Sequence, residues 1–297
     1  MAALRHVPSA GGPPSADDLR VATRPRHWGT HVGAVVAFVL IGSLTFSFAT
    51  NSRVRWSVVG DYLFSSPVLH GVLVTLELTV LAMAIGAVGA ITLAIMRDSG
   101  NPVLGGIAWL YQWFFRGTPL LVQIIFWGFL GAVYPSISLG IPGTDLTLAS
   151  ASSNSVITPF VAALLGLGLN EAAYDSEIVR AGLLSIDEGQ REAAHALGMS
   201  PALTMRKIIL PQALRVVVPP MGNQTIGMLK MTSLVSVIAG TDLLTRVQSI
   251  YSQNFEVIPL LVVASLWYLA LTTILSIGQV FLERRLGQGV RRRVRGG

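Results

Sequence analysis

Cysteine is absent from this chain of 297 residues, and lysine occurs at only two positions, Lys207 and Lys230. Without cysteine, the chain cannot form disulfides, thiolate metal sites or a cysteine nucleophile. Neither lysine follows a glycine, so the chain lacks the Gly-x4-Gly-Lys-Ser/Thr loop that cradles nucleotide phosphates. We therefore expect any ATP hydrolysis that drives this protein to take place on another chain.

Charge is also scarce. Charged residues make up 12% of the chain and hydrophobic residues 52%, whereas an average soluble domain is about 25% charged. This balance predicts a polytopic membrane protein. The net charge of +6 would suggest a nucleic-acid partner in a soluble protein, but here we assign the arginines to membrane loops and expect no nucleic acid. The histidines lack metal-ligand spacing and no Ser/His/Asp arrangement is present, so no metal site and no catalytic residue is predicted.

Long apolar runs predict an all-α membrane protein with about six transmembrane helices. A span needs roughly 20 apolar residues, and the predicted spans are 31–49, 70–96, 118–134, 157–182, 212–240 and 257–282. The fourth and fifth carry many polar groups and are placed partly because the topology needs them. Residues 1–26 predict a disordered cytoplasmic tail. The run 31–49 is longer than the apolar region of a signal peptide, so we interpret it as a retained helix.

The distribution of Arg and Lys predicts the orientation. With the N-terminus in the cytoplasm, 17 of these residues fall in cytoplasmic segments and three in outside loops, as the positive-inside rule requires. The last six arginines, from Arg284 to Arg295, follow the sixth span, and four of them lie in a predicted basic cytoplasmic tail at 286–297. The chain is therefore expected to be a multi-pass protein with both termini in the cytoplasm.

A polar loop at 185–211 carries the most specific motif. It contains Glu192-Ala193-Ala194, then Gly198, Ile208 and Leu210-Pro211. Ser185 and Glu188 predict a capping box for a helix over 186–197, and Gly198 predicts its left-handed end. Ser200-Pro201 predicts a second short helix that stops near Pro211. From the helix signals alone, an ordinary helical hairpin between spans is equally compatible with this loop.

The full spacing resembles the EAA loop of ABC importer membrane subunits, the element that docks on the ATPase. Further stretches resemble the polar amino-acid permeases of the histidine/glutamine/arginine type over about residues 65–285: His70–Leu76, Phe115–Gln123, Ala173–Gly182 and Leu229–Leu234. The resemblance implies a five-helix type I permease core at 65–285, preceded here by an extra helix and outside loop at 27–64. It assigns ATPase coupling to Glu192, Ala193, Ala194, Gly198, Ile208, Leu210 and Pro211. Met231 departs from the pattern, because the family often has Asp there.

The resemblance also implies the partners and the location. Such permeases form homodimers or heterodimers in the bacterial cytoplasmic membrane and bind two copies of an ATPase, which holds the ATP and magnesium. An extracytoplasmic solute-binding protein delivers a polar amino acid. The chain itself is then a transporter subunit rather than an enzyme. The alternative is a secondary, ion-coupled amino-acid transporter, but such proteins often show paired repeats with interrupted helices, which this sequence lacks.

Polar residues inside the predicted spans are candidates for the substrate path. Ionisable groups inside a membrane usually face a cavity or a partner, and the candidates are Lys230, Asn223, Gln224, Thr232, Ser233 and Glu171. Structural hydrogen bonding between helices would use the same residues, and Lys230 could snorkel outward. Glu177 and Arg180 are spaced for an ion pair, which we interpret as structural or gating. Arg116 follows three aromatic residues and suits an interfacial anchor or a structural role near the ATPase-side mouth.

Overall fold

The structure, a computed structural model, describes residues 28–140 and 147–287. The chain divides into two units, residues 1–54 and 55–297. The first unit contains helix α1 (Trp28–Ala49) and a 3₁₀ turn at Ser52–Val54. Within α1, the side chains of 31–49 are all exposed, and this stretch is long and apolar enough to cross a membrane. The predicted tail at 1–26, and all but the first two residues of the predicted tail at 286–297, lie outside the described residues.

The second unit is predominantly helical, as the sequence predicts. Its helices are α2 (Trp56–Leu63), α3 (Ser66–Asp98), α4 (Pro102–Gly117), α5 (Leu120–Gly128), α6 (Leu130–Val133), α7 (Ser153–Val156), α8 (Pro159–Leu184), α9 (Glu188–Ala196), α10 (Pro201–Thr204), α11 (Leu210–Met231), α12 (Leu243–Asn254) and α13 (Val257–Gly287). A π turn at Met205–Ile209 and a 3₁₀ helix at Thr232–Ile238 flank α11. These bounds confirm the all-α class.

Local signals explain where the long helices begin. The Asn101 side chain accepts a hydrogen bond from the Val103 amide at 2.9 Å, and Pro102 occupies the first position of α4. Thr158 and Pro159 repeat this arrangement at the start of α8. A side-chain cap satisfies an amide that the first turn leaves free, and proline there loses no helical hydrogen bond. Capping therefore sets where these helices begin, whereas their small and apolar faces determine how they pack.

The core of this unit is the close packing of α3 on α8. A methyl group added to Gly89 of α3 would lie 2.6 Å from the Ala172 Cβ of α8, so the two backbones approach as only small residues permit. Two groups of buried side chains flank this contact. One contains Leu78, Ile124 and Leu167, and the other contains Leu229, Leu243 and Leu260 from the later helices. The α3–α8 contact thus holds the helix that carries Asn170, Glu171 and Asp175 in the core of this unit.

The predicted spans differ in how closely each of them matches a single long helix. Among the described residues, three helices are long and apolar enough to cross a membrane, and a bent pair covering 201–254 would be a fourth. The third predicted span, 118–134, is broken at Phe129 into α5 and α6. It is preceded by α4, an additional helix with an exposed apolar surface that was not predicted. The fifth is α11 continued by a 3₁₀ helix, so the total of six spans stays a prediction.

A small antiparallel hairpin interrupts the helical fold. Strands β1 (Ser136–Gly140) and β2 (Thr147–Ser152) pair with Ser136 opposite Ser152 and Ser138 opposite Ser150. Both strands alternate serine with apolar residues over part of their length, a period typical of strands. The sequence analysis treated this segment only as an outside loop, although Pro142-Gly143 between the two runs is a turn signal.

Candidate functional site

The first helix of the 185–211 loop begins at Glu188, two residues later than the sequence predicts. Asp187, rather than Ser185, caps α9: its side chain accepts a hydrogen bond from the Gly189 amide at 2.7 Å. Ser185 keeps a helical backbone and ends α8, where its hydroxyl donates to the Gly182 carbonyl at 2.7 Å. The predicted capping box of Ser185 and Glu188 is therefore wrong, because α8 extends through the position where the cap would need extended backbone.

The far end of α9 agrees with the sequence. Gly198 has a φ of 72°, the left-handed conformation that ends a helix. The two alanines of α9, Ala193 and Ala194, lie in different environments. Ala194 is buried within the chain, whereas Glu192 and Ala193 are exposed and Leu197 is 81% exposed. A partner would therefore meet a glutamate, an alanine and a leucine on a small, well-defined helix.

The second half of the loop is continuous with a long helix. Ser200 accepts a hydrogen bond from the Leu203 amide at 3.4 Å and caps α10, as predicted. The prediction that this helix stops near Pro211 is wrong, because α10 passes through the π turn directly into α11. Proline lacks an amide hydrogen and its ring clashes with the carbonyl four residues earlier. The π turn at Met205–Ile209 widens the helix just before Pro211. The helix therefore accommodates the proline by a local change in its hydrogen-bond pattern and continues.

A cleft of about 510 Å³ opens where the α4–α5 connection meets α8 and α11. Its lining combines polar and apolar residues: Arg116, Gly117, Thr118, Pro119, Leu120, Asn170, Glu171, Tyr174, Gln224 and Met231. The structure thus brings together three predicted site residues, Arg116, Glu171 and Gln224. The carboxylate of Glu171 accepts a hydrogen bond from Gln224 Nε2 at 3.0 Å, so one acidic group and one amide occupy the same wall.

The remaining predicted path residues do not line this cleft. Lys230 and Asn223 are exposed elsewhere on α11. Thr232 is buried and donates to the Leu229 carbonyl, and Ser233 donates to the Lys230 carbonyl, both at 2.7 Å. These two hydroxyls therefore bond to the backbone of their own turn, whereas the alternative considered for them was hydrogen bonding between helices.

Glu177 forms a different ion pair from the predicted one. Its carboxylate lies 3.5 Å from Arg116 Nη1, and the Arg116 guanidinium also lies 5.5 Å from the centre of the Tyr174 ring. The predicted Glu177–Arg180 pair is not formed in the described part of the chain, where the Arg180 Nε is buried without a hydrogen-bond partner. Three-residue spacing allows a pair on one helix, but α4 brings Arg116 within reach of the same carboxylate.

Sequence reasoning missed the amides that support the cleft. Gln123 Nε2 donates to the Phe115 carbonyl at 2.9 Å and to Thr118 Oγ1 at 2.7 Å. Asn170 Nδ2 also donates to the Phe115 carbonyl, at 2.9 Å. These bonds hold the α4–α5 connection against α8. The signal available in the sequence was the position of Gln123 at the end of the Phe115–Gln123 stretch, which was used only for its resemblance.

Residues 86–288 match the family described as the binding-protein-dependent transport system inner membrane component. The chain belongs to this family. It is 45% identical over 280 residues to the arginine transport system permease protein ArgU of Corynebacterium glutamicum, a match covering 94% of this chain and 87% of ArgU. It is also 35% identical over 218 residues to the glutamine permease GlnP of Escherichia coli K12, covering 73% and 92%.

Solved structures agree with this family assignment. The crystal structure of an amino acid ABC transporter with histidines contains a chain that is 34% identical to this one. The two superpose with a TM-score of 0.60, covering 74% of this chain and 94% of that one. The MetNI methionine ABC transporter, at 20% identity and a TM-score of 0.57, shows the same fold. The chain is therefore a multi-pass inner-membrane subunit of an amino-acid ABC importer, which is favoured over a secondary transporter. Membership implies an ATPase and further partner components.

Proposed function

We propose that this permease carries a cationic amino acid, with arginine as the first substrate to test. The observation that supports this most directly is the buried carboxylate of Glu171 on the wall of the cleft. A buried charge is stable only with a partner, and the guanidinium of arginine is a bidentate partner for a carboxylate. The high identity with an arginine permease over most of both chains supports the same substrate.

The substrate proposal is tested by uptake into proteoliposomes that contain the permease with its ATPase and binding protein. Arginine and its uncharged isostere citrulline are compared for the wild type and Glu171→Gln. Because hydrogen bonds to charged groups contribute about 1.5–3 kcal/mol, the substitution is expected to lower arginine uptake at least about tenfold. Citrulline uptake should change little. Equal uptake of arginine and citrulline by the wild type would contradict a cationic substrate.

The proposal for energy coupling concerns α9. ATP, with its magnesium, binds to a separate ATPase, two copies of which dock on the α9 surfaces of two permease subunits, either identical or different. The exposed Glu192, Ala193 and Leu197 support this docking surface, with Gly198 ending the helix. Ile208, Leu210 and Pro211 lie at the junction with α11, so movement of α9 would pass into the helix that carries Gln224. An extracytoplasmic binding protein would deliver the substrate on the opposite face.

Charge reversal tests the docking surface. We expect Glu192→Arg to lower both arginine uptake and the stimulation of ATP hydrolysis by at least about tenfold, since like-charge contact at an interface costs several kcal/mol. Affinity for the binding protein should stay unchanged. Asp98→Arg, which reverses an exposed acidic residue at the end of α3, is the matched control and should leave coupling intact. ATP-coupled uptake at the wild-type rate in Glu192→Arg would remove α9 from the coupling surface.

A further inference from the structure

Two carboxylic side chains lie one turn apart in the buried part of α8. Glu171 is 3% exposed and Asp175 is fully buried, at 0%. Glu171 lines the cleft and accepts a hydrogen bond from Gln224. Asp175 lies behind it, and both of its carboxylate oxygens are enclosed without a hydrogen-bond donor among the described residues. An enclosed carboxylate without a donor is costly, so Asp175 requires an explanation beyond packing.

In the described part of the chain, neither carboxylate forms an ion pair. Helices α3, α4, α5 and α11 pack against α8. Their charged or titratable residues are His70, Glu77, Arg97 and Asp98 on α3, Tyr111 and Arg116 on α4, and Arg215 and Lys230 on α11, with none on α5. In the described part of the chain, none of these cations forms an ion pair with Glu171 or Asp175. On α8 itself, Glu177 pairs with Arg116, and the Arg180 Nε has no hydrogen-bond partner.

The two carboxyl groups are four residues apart on one helix, so their side chains project from the same face and can meet. Helix α3 closes over Glu171, since a methyl group on Gly86 would lie 3.0 Å from the Glu171 Cβ. Two carboxylates that share a buried site cannot both be ionised, because each charge raises the cost of the other. One proton held between them leaves a single negative charge and gives the remaining carboxylate an O–H donor. This arrangement gives one of the two unpartnered Asp175 oxygens a donor.

We propose that Asp175 is a positioning residue that exchanges one proton with Glu171 when a cationic side chain enters the cleft. The proposal rests on the proposed function and deepens it. In the empty cleft, Glu171 carries the proton and donates it to the Asp175 carboxylate. When a guanidinium or ammonium group arrives, the Glu171 O–H bond breaks and an Asp175 O–H bond forms. Glu171 is then the carboxylate that pairs with the cation, and the charge of the pair stays at minus one.

The exchange distinguishes charged from neutral substrates. Only a cation stabilises the carboxylate on Glu171, so a neutral amino acid leaves the proton where it is. Because the proton stays inside the pair, substrate binding neither releases a proton to the solvent nor takes one up. Cation binding by the wild type is therefore expected to be insensitive to pH, although the group that contacts the substrate is a carboxylic acid.

The test uses the complete transporter in proteoliposomes, with uptake of arginine and citrulline measured as a function of pH. Asp175→Asn removes the proton acceptor, so the ionisation of Glu171 then depends on proton exchange with the solvent. Arginine uptake by this variant should fall by up to about tenfold per pH unit between about pH 8 and about pH 6, since one unit is a factor of ten in proton activity. Wild-type uptake should change less than about twofold over that range. Identical pH profiles for wild type and Asp175→Asn would overturn the proposal.

Two controls separate this role from packing. Asp175→Glu retains a proton acceptor and should restore the flat profile, whereas a packing defect would lower citrulline uptake as well. Infrared spectroscopy of the purified transporter gives a readout that does not depend on the substrate. At about pH 8 the wild type should show a carboxylic acid C=O band that Asp175→Asn lacks, because removing the like charge lets Glu171 ionise. An unchanged band would refute the shared proton even if arginine is not the substrate.

Discussion

Amide side chains determine the polar geometry of the cleft at the scale of single residues. Gln224 donates to Glu171 from α11, and Gln123 and Asn170 both bond to the carbonyl of Phe115. Amides suit these positions because each carries both donors and acceptors and no charge. Their partners come from other helices, so sequence reasoning could name Gln224 as a candidate but could not identify what it bonds to.

Removing the amide of Gln224 should weaken the site. In Gln224→Met, the buried carboxyl of Glu171 loses its donor, which costs about 1–3 kcal/mol for an unsatisfied buried group. We expect arginine uptake to fall by at least about tenfold, measured in the same proteoliposomes. Gln253→Met makes the same exchange at an exposed position on α12 and should behave as the wild type. Wild-type uptake by Gln224→Met would show that this hydrogen bond has no role in transport.

The ion pair of Glu177 can be assigned by double-mutant cycles. Arg116 and Glu177 side chains are 44% and 42% exposed, and pairs this accessible contribute about 0–1 kcal/mol. We expect a coupling energy in that range between Arg116→Met and Glu177→Gln, from denaturant unfolding in detergent. The cycle of Arg180→Met with Glu177→Gln should give about zero coupling. A larger coupling for Arg180 than for Arg116 would restore the pair that the sequence predicts.

At the scale of elements, α8 links the cleft to the 185–211 loop. Its middle carries Asn170 and Glu171, its C-terminal part carries Glu177, and it ends at Leu184, with three residues between it and α9. The sequence predicts the existence of α8, α9 and α11 correctly. It misplaces the cap of α9 and the end of the helix before Pro211, because both depend on how far a neighbouring helix continues. Helix ends fray or extend by a residue or more according to their packing.

The packing of α3 on α8 should be sensitive to a single methyl group. The Cβ of Gly89→Ala would lie 2.6 Å from the Ala172 Cβ, and overpacking of this kind typically costs about 1–3 kcal/mol. We expect the variant to unfold at lower temperature or denaturant concentration than the wild type. Gly105→Ala is the control on α4, since an added methyl there meets nothing within 4 Å. Equal stabilities of the two variants would mean that the helices can separate without cost.

At the scale of the whole molecule, the arrangement of charge predicts which face is cytoplasmic. Most of the arginines lie in the N-terminal segment, the 185–211 loop and the basic C-terminal segment. Both termini and α9 should therefore share the cytoplasmic side. The β1–β2 hairpin falls on the other side in this arrangement. Six spans, predicted from the apolar runs, agree with the same distribution of charge. Because the third of them is broken between α5 and α6, that number stays a prediction.

The absence of cysteine makes this orientation directly testable. Single cysteines introduced as Ala202→Cys in α10 and Ser150→Cys in β2 are both at exposed positions. In intact cells, a membrane-impermeant maleimide should label Ser150→Cys and leave Ala202→Cys unlabelled until the membrane is opened. The cysteine-free parent supplies the background. Labelling of both sites in intact cells would contradict the predicted orientation.

Composition and motif spacing by themselves determined the class of the protein and the family resemblance, and they predicted the role of the 185–211 loop and ATP hydrolysis on another chain. These properties depend on residue type and on short-range order, which a chain carries before it folds. Only the tertiary structure decided that Arg116 pairs with Glu177, that Gln224 meets Glu171 and that Asp175 is enclosed behind them. Each of these contacts joins different helices or depends on burial between them. Their geometry follows from the approach of α3, α4 and α11 to α8, which no local pattern specifies.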